Sequence, residues 1–333
     1  MSELLPGVAG LLPTPPPGPR WSRTTVTRIE ELQDAVHGAG LDAIQFSKGS
    51  LTGSLAVTEC AGATFTVAEM GSFIGIRGPL HRDRFTLGVG LGQPPGSKQW
   101  MRDVDTGTVG VFVPGEEHHG LHAAGSRYIT VALSRERLEE IAAHLELVLD
   151  SAAVSSSGLH PRLLPEAQVS RLARDFGTER TPGRADASGA ACWNAVVSAV
   201  QHIARPPRRD LLRGPATGYA RIVARARDYV MAHLHQSISA EEMARAASTS
   251  VRSLHRAFVS VLGESPGSYV RRVRLHRLRH ALTSPTPKRR SVSRAAYSSG
   301  ITHLGRMARW YRETFGELPS ETLARGTGND IEP

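Results

Sequence analysis

The 333-residue sequence predicts an α+β chain of two domains. A β-rich N-terminal domain with flanking helices comes first, and an all-α domain with two helix-turn-helix units joined by a long helix follows. Three observations predict this. Short β-prone runs bounded by glycine and charge crowd between Leu51 and Leu133. Two segments near the C-terminus repeat one another. The basic excess is confined to the part bearing that repeat: residues 205–325 hold 23 Lys/Arg against 8 Asp/Glu, whereas residues 1–204 hold 17 against 21.

Bulk properties set the limits. Apolar residues make up 40% of the chain and aromatics only 5%, so cores must lean on Leu, Val, Ile and Ala. No run approaches the ~20 apolar residues needed to cross a bilayer. The start, with Pro at 6, 13, 15, 16, 17 and 19, has no basic n-region. Residues 1–20 are therefore expected to be disordered rather than a secretory signal. Cys60 and Cys192 are too few and too scattered for a disulfide framework or zinc cluster. The expectation is a cytoplasmic protein with no membrane partner.

The N-terminal domain spans 21–204 in this reading. Glu30–Val36 is a short helix. Leu55–Cys60, Thr64–Met70, Phe73–Arg77, Phe85–Leu91, Thr108–Val113 and Arg127–Leu133 read as strands of a small barrel or sandwich. Ser134 is placed to cap a helix of about four turns carrying Leu138, Ile141, Ala142, Leu145, Val148 and Leu149 at 3/4 spacing. After a Ser/Gly/Pro-rich stretch (Asp150–Pro161), weaker helical segments lie near Leu163–Phe176 and Ala190–Ile203. These helices either pack against a second subunit, making a homodimer, or cover the strands. Residues 205–217, with Arg205-Pro-Pro-Arg-Arg-Asp and Gly214-Pro215, read as a linker.

From 218 to 325 helices dominate. The first, about Arg221–Leu234, places Ile222, Ala226, Tyr229 and Val230 on one face. Ser239 and Glu242 form a capping box for the second. Then comes the repeat. Ala244, Ser248, Ser250, Leu254, Arg256, Phe258, Gly263-Glu264 and Pro266 are echoed by Ala296, Gly300, Thr302, Met307, Arg309, Tyr311, Gly316-Glu317 and Pro319. The offset is 52 residues at first and 53 after a one-residue insertion. Small residue, turn, capping hydroxyl and short apolar-anchored helix are helix-turn-helix grammar. Ser250 and Thr302 are the expected caps. Leu254 and Phe258, with Val251 a further candidate, face inward in the first unit, and Met307 and Tyr311 in the second. Arg252, Ser253, His255 and Arg256, then Thr302, His303, Leu304, Gly305, Arg306 and Arg309, are left for a DNA groove. Gly305 inside a helix costs ~1 kcal/mol, and close approach to a duplex is a reason to bear it.

Between the units a helix from Ser268 to Leu282 buries Val270, Val273, Leu278, Ala281 and Leu282. Its arginines (271, 272, 274, 277, 279) are assigned to phosphates, salt bridges or solvent. Fifteen residues span roughly 22 Å, which, with the offset of each unit's recognition helix added, is compatible with successive major grooves ~34 Å apart. An arginine-rich basic region suits phosphate and guanine contacts. Residues 326–333 read as a tail.

The stretches ISAEEMA (238–244), SxxxLHRAF (250–258), SYVRRVRLHRLRHAL (268–282) and GITHLGRMARWYRETFGELPS (300–320) resemble the DNA-binding domain of the AraC/XylS family of bacterial transcription regulators. The resemblance covers about a third of the chain. It implies tandem helix-turn-helix units on double-stranded promoter DNA, with Arg252, His255 and Arg256, then Gly305, Arg306 and Arg309, facing the grooves. It also implies an activator that recruits RNA polymerase. Two positions depart from the family pattern: Ser248 replaces the usual first-turn Gly, and Ile301 the usual Phe. Serine resists φ > 0, so the first turn is expected to be wider or strained. Upstream, VFVPGEEHHG (111–120) and the following strand resemble a cupin-like barrel that senses a small-molecule effector.

An enzyme is the alternative. His118, His119 and His122, with Glu116 or Glu117 and His81 nearby, are ligand types that suit Zn, Fe or Mn. This gives a metal-dependent cupin-type enzyme with a basic tether to nucleic acid. Adjacent histidines on a strand point to opposite faces, however, and the plainer reading is a polar loop at a barrel mouth. Trp100, Phe112 and His118 are candidates for lining a ligand cavity. No G-x-S-x-G elbow, P-loop or dinucleotide fingerprint appears in a fitting context. No catalytic residue, metal ligand or cofactor is assigned, and the leading expectation is a non-enzymatic transcription regulator.

Overall fold

A computed structural model describes residues 19–35, 42–149, 154–177, 187–204, 218–284 and 291–328. The expected disordered stretch (apart from residues 19 and 20), the expected linker 205–217 and the tail from 329 onward lie outside the described residues.

Strand β1 (Ser22–Val26), helix α1 (Ile29–Ala35) and strand β2 (Asp42–Gln45) precede the hairpin of β3 (Gly53–Cys60) and β4 (Ala63–Met70). Next come β5 (Ile74–Gly78), β6 (Phe85–Gly92), the short β7 (Lys98–Gln99) and β8 (Arg102–Asp103), β9 (Val109–Phe112), β10 (His118–His122) and β11 (Ser126–Leu133). Then follow α2 (Arg135–His144), β12 (Gly158–Leu159), α3 (Glu166–Asp175) and α4 (Gly189–Ala204). Hydrogen bonding divides the strands into two sheets without closing them into one barrel. Seven strands run in the order β1-β3-β4-β11-β6-β9-β12 and five in the order β2-β5-β10-β7-β8.

Period-2 alternation explains the layering. Along β6 and β11, Phe85, Leu87, Val89 and Leu91 with Ile129, Val131 and Leu133 join one core with Leu138, Ile141, Cys192, Val196 and Val200 of the helices. On the opposite face, Leu55, Ala68 and Met70 meet Ile74 and Ile76 of the smaller sheet. The layers are helices, large sheet, small sheet. The buried apolar faces of α2, α3 and α4 cover the strands of their own sheet.

All six expected strands form, but 118–122 is not a polar loop. Its HHGLH sequence shows no apolar alternation, and pairing with β5 and β7 makes it a strand, with His118, Gly120, Leu121 and His122 buried. Helix α2 is shorter than its apolar spacing suggests. Ser134 caps it as expected, accepting from the Arg137 N–H at 3.2 Å. It stops at His144, with Glu146 in the left-handed region (φ 54°) and Val148 exposed.

Helices α5 (Gly218–Ala232), α6 (Ala240–Ala246), α7 (Val251–Leu262), α8 (Pro266–Thr283), α9 (Val292–Ser298), α10 (Leu304–Phe315) and α11 (Pro319–Gly328) complete the described chain. The last of these runs three residues into the expected tail. Helix α8 serves two cores. Tyr269, Val270 and Val273 pack with α5, α6 and α7; Leu275, Leu278 and Leu282 pack with Ala296, Ile301, Met307, Tyr311 and Phe315. Ile301, where the family pattern has Phe, is a buried anchor, whereas Val251 is exposed.

The two turns differ in strain. Ser248 adopts φ 52°, a left-handed conformation that costs a residue with a Cβ roughly 1–2 kcal/mol. Its counterpart Gly300 sits at φ 80°, where an added Cβ would lie 2.5 Å from the Leu234 carbonyl oxygen. Replacing Ser248 by Gly is expected to raise stability by about 0.5–1 kcal/mol. Gly300→Ala is expected to lower it by at least about 2 kcal/mol, combining strain with a backbone clash. Urea denaturation of the two variants checks both signs.

Candidate nucleic-acid interface

Each unit presents its second helix to solvent. In the first, Ser250 caps α7 by accepting the Ser253 N–H at 3.1 Å, and Leu254, Ala257 and Phe258 are buried. Arg252, His255 and Arg256 lie exposed on the remaining surface, with Ser253 half-buried. In the second, Met307, Tyr311 and Phe315 are buried along α10, while Thr302, His303, Gly305, Arg306 and Arg309 are exposed. Both helices end on a left-handed glycine, Gly263 and Gly316.

The expected cap at Thr302 is corrected to the neighbouring residue. The one-residue insertion shifts the equivalence, so His303 occupies the N-cap position that Ser250 holds, and its side chain makes no capping bond. Residue 302 keeps the hydroxyl while the helix start has moved past it. Gly305 has nothing within 4 Å of where a Cβ would stand. Internal packing therefore gives no reason for a glycine there.

The arginines sort by partner. Among the described residues, Arg252 and Arg256 form no ion pair. Arg309 pairs with Glu313 at 2.8 Å, both exposed, and Arg306 lies over the Trp310 ring at 5.6 Å. The α8 arginines are mostly structural. Arg272 forks onto Glu264 and donates to the Gln45 carbonyl at 3.0 Å, and Arg274 donates to the carbonyls of Leu234 and Gln236. Arg279, its side chain 3% exposed, pairs with Glu30 of α1 and with Glu317 beyond α10. Burial opposes its charge, but the Glu30 hydrogen bond and the Glu30 and Glu317 carboxylates hold its pKa above the ordinary arginine value. Burial opposes ionisation of Glu317 too, yet Arg325, Thr322 and Arg279 outweigh it and push its carboxyl down to about 2.

The β-rich part grips this helical region, a contact sequence reasoning missed. Gln45 donates its N–H to His276 Nε2 at 3.0 Å and its side-chain amide to the Thr314 carbonyl at 3.0 Å. Gly49 N–H donates to the Glu313 carbonyl at 3.2 Å, and Arg77 pairs with Asp228 at 3.3 Å. Phe46 stacks on Phe73 and on Tyr269. Buried Arg227 donates to the Tyr269 hydroxyl at 3.1 Å and contacts the Met101 sulfur.

Between the two sheets lies a cavity of about 70 Å³, lined by residues that include Gln93, Gln99, Phe112, His118, His122 and Tyr128. Of the candidate ligand residues, Phe112 and His118 reach it, whereas Trp100 stacks behind Phe112 at 5.1 Å. His118 and His122, four apart on one strand, share the cavity face, and His119 points away. His118 Nδ1 donates to the Gly78 carbonyl, leaving Nε2 as an acceptor. His122 Nδ1 and Gln99 Oε1 are buried without a hydrogen-bond partner. Burial pushes His118 down to about 4 and His122 to about 3, so both are neutral. The suspected metal set does not converge. Glu116 accepts the Ser157 N–H, Glu117 pairs with Arg77, and among the described residues no three His, Cys, Asp or Glu could hold an ion.

Residues 243–325 match the family model of a helix-turn-helix domain. The chain is 42% identical over 96 residues to the XylDLEGF operon transcriptional activator 2 of Pseudomonas putida, covering 29% of this chain and 61% of that protein. It is 41% identical over 105 residues to XylDLEGF operon transcriptional activator 3 of the same species, covering 32% of each. The chain thus spans less than two thirds of the length of the curated relatives it matches. A solved structure of a probable AraC family transcriptional regulator from Rhodopseudomonas palustris is 35% identical, covering 32% of this chain and 96% of that one at a TM-score of 0.30. The C-terminal region carries a helix-turn-helix domain of the type found in XylS/AraC activators.

Gly305→Ala is expected to stabilise the fold by up to about 1 kcal/mol, while weakening DNA binding if the backbone approaches the duplex there. Paired denaturation and binding titrations separate the two effects. The buried neutral histidines set the acid response. His276 is pushed down to about 3, chiefly by burial, like His118 and His122. Their folded pKa values lie below the unfolded 6.5, so their contribution is complete above that pH. It falls away as the unfolded chain takes up protons, from about pH 6.5 down to about 4 for His118 and about 3 for His122 and His276. From pH 7.5 to 5.5 each is expected to cost about 1 kcal/mol, measured as a falling urea midpoint.

Proposed function

We propose that this chain is a sequence-specific DNA-binding transcription regulator of activator type, with no enzymatic activity. The observation that carries the reading is the pair of like recognition helices, α7 and α10, anchored on a shared α8 and each exposing arginines. In this reading residues 218–325 bind promoter DNA, α7 and α10 entering successive major grooves. Arg252, Arg256, Arg306 and Arg309 are the candidates for base contact; Ser253, His255, Thr302, His303 and the Gly305 backbone support them. Residues 21–204 form the sensing domain. The relatives' printed role as activators supports recruitment of RNA polymerase, and a cytoplasmic location with the DNA belongs to the same reading.

The cavity is the effector site of this reading. Among the described residues no charged side chain lines it, its two imidazoles are neutral, and Gln99 Oε1 and His122 Nδ1 lack partners. Those features suit a neutral ligand with hydrogen-bonding groups. A volume of 70 Å³ is about half that of a cavity that accepts benzene. A larger effector must therefore displace Phe112 or its neighbours.

A salt-titrated binding assay tests the function. Affinity for a promoter fragment is expected to exceed that for random DNA and to fall steeply with salt; equal affinity for both defeats it. Arg306→Ala or Arg309→Ala is expected to cost about 1–3 kcal/mol on the specific fragment wherever the residue is bidentate to a base. A phosphate contact would instead weaken both DNAs alike.

A further inference from the structure

The chain has two cysteines, and folding brings them together. Cys60 ends β3, at a hairpin turn whose Ala61 and Gly62 both have positive φ. Cys192 lies in the first turn of α4. Gly189, one turn earlier on the same face of that helix, leaves room for Cys60: the Cys60 Sγ stands 3.8 Å from where a Gly189 Cβ would be. Cys60 packs against the core cluster that holds Cys192, and both thiols are reduced. Cys60 is half-buried and Cys192 wholly buried.

We infer that Cys60 and Cys192 form a reversible oxidation site, a dithiol that a hydroperoxide converts to an intramolecular disulfide. The accessible sulfur reacts first. Cys60 attacks the peroxide oxygen, the O–O bond breaks, an alcohol or water leaves, and Cys60 becomes a sulfenic acid. The Cys192 sulfur then attacks the sulfenic sulfur. The S–S bond forms, the S–O bond breaks, and hydroxide departs with the Cys192 proton as water. The two thiols lose two electrons and the peroxide gains them; a dithiol reductant reverses the change.

Protection follows from the same packing. Burial first, and then the neighbouring Cys60, pushes the Cys192 thiol up to about 12, so it is a poor first nucleophile. An adjacent resolving thiol diverts the sulfenic acid from irreversible oxidation. Disulfides in a reducing compartment are characteristically of this transient, sensing kind. The product would staple the β3–β4 hairpin to the start of α4, on the sheet face away from the cavity. The site is independent of the DNA-binding reading.

The test exposes the folded full-length chain to graded hydrogen peroxide, blocks remaining thiols under denaturing conditions, and maps peptides by mass. Both thiols are expected to disappear together into one peptide pair joining Cys60 to Cys192, recovered on dithiothreitol. In Cys192→Ser, Cys60 is expected to be trapped by dimedone as a sulfenic acid. In Cys60→Ser, Cys192 is expected to stay unreacted. The inference is overturned if both thiols survive peroxide that oxidises a free-thiol control. It is equally overturned if Cys60 is driven to sulfinic acid while Cys192 stays free, or if only intermolecular links form.

Discussion

The arrangement of the molecule depends on one buried cation. Arg279 sits three quarters of the way along α8, shut off from water, and a guanidinium in that position is tenable only if paired. Glu30 supplies one partner from the β-rich part, and Glu317 the other from just beyond α10. Glu317 is held in turn by Arg325 and Thr322 of α11. A single side chain thereby ties α1, α8 and α11. Losing either carboxylate would leave an undercompensated charge, a fault worth about 3–5 kcal/mol in buried pairs. The network thus fixes position as much as it adds stability.

Around that cation the contact between the two regions is dense and mostly polar. Gln45 alone engages His276, Arg272 and Thr314, so one residue of a four-residue strand reaches α8 and α10. The histidine it binds must remain neutral, because Nε2 accepts from the Gln45 N–H and burial disfavours a second proton. Farther along α8, the Phe46–Phe73–Tyr269 stack covers the first unit. Both units are therefore braced against the small sheet, and moving either one relative to the other means breaking named hydrogen bonds.

What could be read from the sequence was what is local. The Ser239–Glu242 capping box, the Ser134 and Ser250 caps, the anchors Leu254, Phe258, Met307 and Tyr311, and the strain at Ser248 depend on neighbours a few residues away, and spacing reveals them. The exposure of Arg252, His255, Arg256, Arg306 and Arg309 was legible for the same reason, as what remains once the anchors are buried. Thr302 misled because aligning hydroxyls ignored where the inserted residue falls. Strand β10 was hidden because its polar sequence owes its form to β5 and β7, not to its own pattern. The embrace of Gln45 with His276, and the meeting of Cys60 with Cys192, join residues far apart in sequence, and no periodicity encodes them.

The short hairpin joining β7 to β8 turns on Trp100 and Met101, both with positive φ, 46° and 60°. Asn-Gly is the ordinary choice where two such angles are needed, and bulky side chains hold them only under compulsion from surroundings. Trp100 leans on the Phe112 wall, while Met101 is sunk among the helices beside Arg227. Adjacent residues of one rigid turn are thus bolted to two different cores, like a rocker with an arm in each. Whatever displaces one arm has no slack segment in which to dissipate before it reaches the other.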